Sequence, residues 1–177
     1  MVAKIETIRG KNRRLGILLG ALALVVTAGI ALPEPGAKGE SAVTKVERIE
    51  MMPYDRSAAY ADPASKSFAL LEFFTPQCRF CKLSVEELNR LDKSAEIAVV
   101  AYTSGSVKQV KAFMEEQGVS YPVSRTSREY AELFNPVAVP ASFLVDTKTL
   151  EVKASFVGKV DADTVLRTAQ ELGKERS

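Results

Sequence analysis

Apolar residues fall into two kinds of run along the chain. Residues 68–74 (FALLEFF) and 97–102 (IAVVAY) are short and almost unbroken, the pattern of strands buried on both faces. Between them Cys81, Val85, Leu88 and Leu91 recur at helical spacing and predict a helix over 78–92. Strand, helix, strand implies a right-handed parallel crossover. Ser106 with Gln109 forms a capping-box pattern ahead of the apolar face Val107, Val110, Phe113 and Met114, and Gly118 marks the end of that helix. A second box, Thr126 with Glu129, opens a shorter helix carrying Tyr130, Leu133 and Phe134, which stops at Asn135-Pro136. Residues 141–145 and 150–157 read as strands joined by a hairpin connection at 146–149. Asp161 or Asp163 caps a last helix, with Val165, Ala169 and Leu172 as its buried stripe and Gly173 at its end. The order is βαβα followed by ββα. Upstream, Val43, Val46 and Ile49 have mixed spacing and Pro53 and Pro63 break any long element, so 41–66 predicts only a short strand over 43–51. No internal repeat is evident.

The first residues have a different pattern. Lys4, Arg9, Lys11, Arg13 and Arg14 precede an uncharged, apolar stretch over 15–32, which just reaches the length needed to cross a hydrocarbon core of roughly 30 Å. The basic flank is expected to stay cytoplasmic. This predicts a basic tail at 1–14, a single transmembrane signal anchor at 15–32, a linker at 33–66 and an exported domain at 67–177. Residues 33–40, with two prolines and two glycines, have the composition of a spacer. A cleaved signal peptide is the alternative, since Gly29-Ile30-Ala31 offers small residues, although the apolar cores of such peptides usually run about 7 to 15 residues. Either way the domain is exported, and a bacterial inner-membrane protein with its C-terminal domain facing the periplasm or cell exterior is expected.

Composition narrows the chemistry. The 177 residues are 46% hydrophobic, enough for a core, and the net charge is only +2, with no basic patch beyond the first residues to suggest a nucleic-acid partner. Histidine is absent, which excludes imidazole bases, Cys-His hydrolases and histidine-ligated metals within this chain. Two cysteines cannot close a four-ligand zinc site, so a metal would need ligands from a second molecule. No metal and no cofactor other than a redox-active cysteine pair is expected.

Those two cysteines, Cys78 and Cys81, stand in the stretch TPQCRFCK at the junction of the first strand and the first helix. A helix N-terminus carries unpartnered N–H groups and about half a positive charge, which favours a thiolate at the first cysteine. Cys78 is therefore the candidate nucleophile. Cys81, one turn further in, is placed to attack a mixed disulfide formed at Cys78 and release it. Glu72 interrupts the first apolar strand. Its neighbours Leu71 and Phe73 leave it little water, so its pKa should be raised and it could take the Cys81 proton; the alternatives are that it reaches the sheet edge or pairs with a lysine.

The element order, the dithiol at the first strand–helix junction and the Val139-Pro140 step before the third main strand resemble the thioredoxin fold, a central mixed sheet flanked by helices, over about 67–173. With the basic tail and apolar stretch, the chain is similar to tethered thiol-disulfide reductases of the TlpA and ResA type, and to the membrane-linked maturation protein of methylamine dehydrogenase. The resemblance implies that Cys78 attacks, that Cys81 resolves, that Glu72 occupies the place of the buried acid, and that Pro140 is a cis proline beside the dithiol where a substrate strand can pair, with Val139 helping to set reactivity. Gln77 stands where the usual tryptophan would be, and Arg79 and Phe80 replace the proline or histidine of better-known relatives. Arg79 can favour a Cys78 thiolate or be a solvated surface residue. Phe80 either meets partners or packs on its helix. These three positions bear on substrate identity.

The function this implies is reduction of disulfides in exported apoproteins, such as cytochrome c haem-attachment cysteines, a copper site or a disulfide-rich subunit, with the pair recharged by a membrane thiol electron donor. The same machinery run in reverse is an oxidase or isomerase. A Cu(I)-delivery module using both sulfurs is a reading of another class, to which the lack of histidine and of a nearby methionine is unfavourable. A purely structural disulfide closes too small a loop to stabilise much.

Overall fold

The computed structural model describes residues 38–39 and 43–175. The expected tail at 1–14 and anchor at 15–32 lie outside the described residues. Among the described residues no helix is long and apolar enough to cross a membrane. The elements are β1 (Lys38–Gly39), β2 (Phe68–Phe73), α1 (Arg79–Asp92), β3 (Ile97–Thr103), α2 (Val107–Gln117), β4 (Val123–Arg125), α3 (Arg128–Phe134), β5 (Ala141–Asp146), β6 (Val152–Val157) and α4 (Ala162–Lys174). The sheet order is β1-β6-β5-β2-β3-β4. Strands β2, β3 and β4 run parallel, whereas β5 is antiparallel to β2 and β6 to β5.

All six residues of β2, all seven of β3 and all six of β5 are buried, as their continuous apolar runs require. Alternation along β2 divides the core in two. Phe68 and Leu70 face a cluster built with Cys81, Val85, Leu88 and Leu91 of α1, Val110 and Phe113 of α2, and Val165 and Ala169 of α4. Ala69, Leu71 and Phe73 face the other side, where Tyr102, Tyr130, Phe134 and Phe143 stack around Phe73 with ring centroids 5.0–6.4 Å from it.

Among the described residues that second face has one short helix, α3, and a stretch the sequence left ambiguous. The expected strand over 43–51 does not form. The chain instead touches the sheet at isolated bridges, Lys45 to Glu151 and Pro53 to Ser124, because it crosses the sheet from the β5–β6 hairpin to the β4 edge rather than running beside one strand. It buries Val43 and Val46 against the aromatic cluster on the way. From Val43 onward the expected linker is therefore part of the packed domain, and Lys38–Gly39 of the expected spacer pairs with β6. Tyr54 ends the crossing. Its backbone N–H donates to Val123, its hydroxyl donates to the carbonyls of Gly105 (2.6 Å) and Thr103 (3.2 Å), and the Arg125 guanidinium lies 5.1 Å from its ring centroid.

Other departures are local. Strand β4 was not expected, since three residues are too few to show a period. The α3 cap is Ser127, whose side chain accepts from Tyr130 N, not Thr126. Strand β6 begins at Val152 because Leu150 takes a left-handed conformation, φ 59°, that closes the hairpin turn. The capping box at Ser106, the left-handed Gly118 and the Asp161 cap are present as read. Tyr54→Phe should lower unfolding stability by about 1–2 kcal/mol in urea titrations with the slope unchanged, because it removes hydrogen bonds to two carbonyls and leaves the ring in place. An unaltered midpoint would mean that the hydroxyl does not hold the crossing segment.

Candidate active site

The end of β2 delivers the chain to the site. After Phe74, the Cys78 N–H closes a turn by donating to the Thr75 carbonyl (3.0 Å), and Pro76 is buried beneath it. Gly105, in the β3–α2 loop held by Tyr54, lies so near that an added Cβ would come within 3.2 Å of Pro76 Cγ and 3.0 Å of Val110 Cγ2. Absence of a side chain there is what lets the two loops meet.

Cys78 is the N-cap of α1, with extended backbone (φ −71°, ψ 117°), and the Cys81 N–H points at its sulfur across 3.2 Å. The helix accordingly starts at Arg79, one residue later than its periodicity suggested. A sulfur in the capping position meets a first-turn donor and the positive end of the helix dipole, and both favour the thiolate over the thiol. The two cysteines form a disulfide, with Cα atoms 5.3 Å apart. Their environments differ. Cys78 is half-buried, while Cys81 is 3% exposed and packs with Val85 and Leu88 in the core. Only the first sulfur is open to an incoming reactant.

The antiparallel pairing of β5 with β2 brings the next residues to the same place. Phe73 is opposite Ala141, so the residues preceding Ala141 come level with the turn that follows Phe73. The Val139–Pro140 peptide bond is cis, Pro140 is buried, and the Val139 carbonyl oxygen lies 3.7 Å from Cys78 Sγ. Cys78, Cys81, Val139 and Pro140 are thus brought together as expected. Gln77, Arg79 and Phe80 form an exposed rim. Arg79 makes no ion pair among the described residues, and Phe80 is 60% exposed rather than packed down on its helix. Sequence reasoning passed over two further exposed apolar residues, Leu83 (52%) and Val137 (92%). Leu83 shares a helix face with Phe80, a signal present in the i, i+3 spacing.

Glu72 lies on the α1 side of β2, the same face as Phe68, Leu70 and Cys81, and is 1% exposed. It does not reach a sheet edge, and among the described residues it pairs with no lysine. The Ser142 hydroxyl, from the register-matched position on β5, donates to Glu72 Oε2, and Oε1 has no partner among the described residues. Burial pushes the carboxyl up to about 8, partly opposed by the Ser142 hydrogen bond. It is mostly a neutral acid at pH 7. Ser142 itself escaped the sequence reading because a lone serine in an apolar strand gives no period. Among the described residues no group of three or more Cys, Asp or Glu side chains is placed to hold a metal ion.

No protein-family model matches the chain, and no curated protein matches it by sequence. Solved structures do match it in shape. A thiol-disulfide isomerase from Corynebacterium glutamicum superimposes with a TM-score of 0.57 at 17% identity, covering 71% of this chain and 94% of that one. A thiol:disulfide interchange protein of the thioredoxin family from Chlorobium tepidum gives 0.56 at 19%, covering 75% and 98%. A thioredoxin-related protein from Neisseria meningitidis gives 0.58 at 12%, covering 71% and 99%. The packed domain of this chain has a thioredoxin-like fold, with its only cysteine pair at the β2–α1 junction.

Proposed function

We propose that this chain is a thiol-disulfide oxidoreductase that reduces disulfides of exported apoproteins, including those of cytochrome c maturation, from a tether in the bacterial inner membrane. One observation carries the chemistry: a half-open sulfur caps a helix beside a cis-proline loop, while its partner sulfur is buried on the face that also holds a neutral carboxyl. In the dithiol form the Cys78 thiolate attacks a substrate disulfide, forms a mixed disulfide and expels one substrate thiolate. Glu72, having passed its own proton to Cys81 when the disulfide was opened, is then a carboxylate; Cys81 returns the proton to it, attacks Cys78 Sγ and expels the second substrate thiolate. Two electrons have then passed to the substrate, and the Cys78–Cys81 disulfide is recharged by a membrane thiol donor. Val139, Pro140, Gln77, Arg79 and Phe80 receive the substrate. Export and tethering follow from the basic and apolar N-terminal pattern, and reduction rather than oxidation follows from the resemblance to tethered reductases.

Three measurements test this reading. Dithiothreitol-dependent insulin reduction is expected to fall to background in Cys78→Ser, whereas Cys81→Ser should accumulate mixed disulfides visible on non-reducing gels; activity surviving in Cys78→Ser would refute the nucleophile assignment. In intact cells, maleimide tagging after acid quenching should find the pair largely reduced and oxidised once the membrane donor is removed. A pair oxidised throughout would overturn the reductase direction. For Glu72, the folded value of about 8 lies above the ordinary 4.5, so the folded state holds the extra proton between them. Its contribution is complete below about pH 4.5 and is lost as pH rises to about 8, on the order of 5 kcal/mol in all. Relative to Glu72→Gln, the disulfide form should lose stability across that window; parallel stability curves would contradict the buried acid.

A further inference from the structure

The buried carboxyl is held from one side only. Glu72 and Ser142 are opposite each other on β2 and β5, at 1% and 0% exposure, and the serine hydroxyl donates to Oε2. Oε1 is equally dry and has no hydrogen-bond partner among the described residues. In a neutral carboxyl one oxygen accepts and the other carries the proton, and since a donor already engages Oε2, the proton belongs on Oε1. Few groups compete for it. From β3 the facing residue is Ala101, and the buried side chains of α2 and α4 are apolar apart from the Thr168 hydroxyl. The titratable groups on this side are Cys81 of α1 and the phenols of Tyr54 and Tyr121, with Asp92 beyond Tyr121; burial keeps both phenols neutral.

We propose that Ser142 is a positioning residue for the proton step: its hydrogen bond fixes the Glu72 carboxyl and leaves Oε1 as the oxygen that exchanges a proton with Cys81. This rests on the oxidoreductase reading above. When an external thiolate attacks Cys78 Sγ, the Cys78–Cys81 bond breaks, its electron pair goes to Cys81, and the Oε1 proton passes to that sulfur. In the other direction Cys81 attacks the mixed disulfide, the Cys78–Cys81 bond re-forms, the substrate sulfur leaves as a thiolate, and Oε1 takes the proton back. The serine is unchanged in both. Its neighbour role follows from the register that also sets Pro140 two residues upstream, so one strand positions both the substrate loop and the acid.

The test is the rate at which dithiothreitol reduces the disulfide of the full chain, divided by the concentration of dithiothreitol thiolate, from about pH 6 to about pH 10. The wild-type rate per thiolate should be level and then fall once Glu72 loses its proton. In Ser142→Ala the loss of a hydrogen bond that favours the carboxylate should move this break upward by about one pH unit. Ser142→Thr, which keeps the hydroxyl, should restore it, and Glu72→Gln should have no break. A wild-type break in Ser142→Ala, together with none in Glu72→Gln, overturns the role of Ser142 and leaves that of Glu72 standing. A break that persists in Glu72→Gln overturns the proton-shuttle reading itself. A packing defect alone would lower the rate without moving the break.

Discussion

The complete burial of β2, on both faces and between two neighbouring strands, is the constraint from which the site follows. A strand with no exposed residue belongs in the interior of a sheet, where its polar backbone is paired on both edges. Its chain can leave only at the strand end, and the helix that crosses back to β3 must begin there. The antiparallel pairing of β5, with Ala141 opposite Phe73, brings the start of β5 to the same end. Dithiol and cis-proline loop therefore meet because of strand register, across more than sixty residues of sequence.

The same geometry makes the two sulfurs unequal. Capping puts Cys78 at the helix mouth, where the Cys81 N–H and the helix dipole stabilise negative charge. One turn later Cys81 is turned inward with Val85 and Leu88, where a thiolate would be costly without a nearby proton donor. A carboxyl on that face must itself be neutral for most of the physiological range, since Ser142 is its one hydrogen-bond donor among the described residues. The two sulfurs are thus distinguished by depth, and the proposed division into nucleophile and resolving thiol needs no histidine.

Much of this was legible. Continuous apolar runs gave β2, β3 and β5; helical spacing gave α1; and the Ser106 and Gly118 signals bounded α2. The dithiol and Glu72 could be singled out because each breaks an otherwise regular pattern. What escaped was tertiary in origin. The 43–54 segment has no period because it crosses the sheet and buries a residue only where it happens to pass over the aromatic cluster. Ser142 is indistinguishable from any strand serine until the register places it opposite Glu72. Gly105 looks like a loop glycine, and its role emerges only from the closeness of Pro76. The cis geometry at Pro140 was expected on resemblance alone, since nothing local in Val139-Pro140 selects it.

The arrangement also separates chemistry from recognition. Everything that distinguishes the sulfurs is backbone or buried side chain: the cap, the strand register, the Glu72–Ser142 pair and the loop contact at Gly105. The rim, made of Gln77, Arg79, Phe80, Leu83 and Val137, is exposed and supports no part of that framework. Replacing the aromatic residue usual before the first cysteine by Gln77 therefore changes what a partner meets without disturbing the cap that sets Cys78 apart. Exposed apolar side chains on α1 and on the approach to Pro140 lie on both segments that frame the sulfur; under the proposed function, a substrate that buries them would be drawn in over Cys78 while Cys81 stays out of reach. In the proposed function, selectivity can then vary at the rim while the order of the two thiol steps remains fixed by the core.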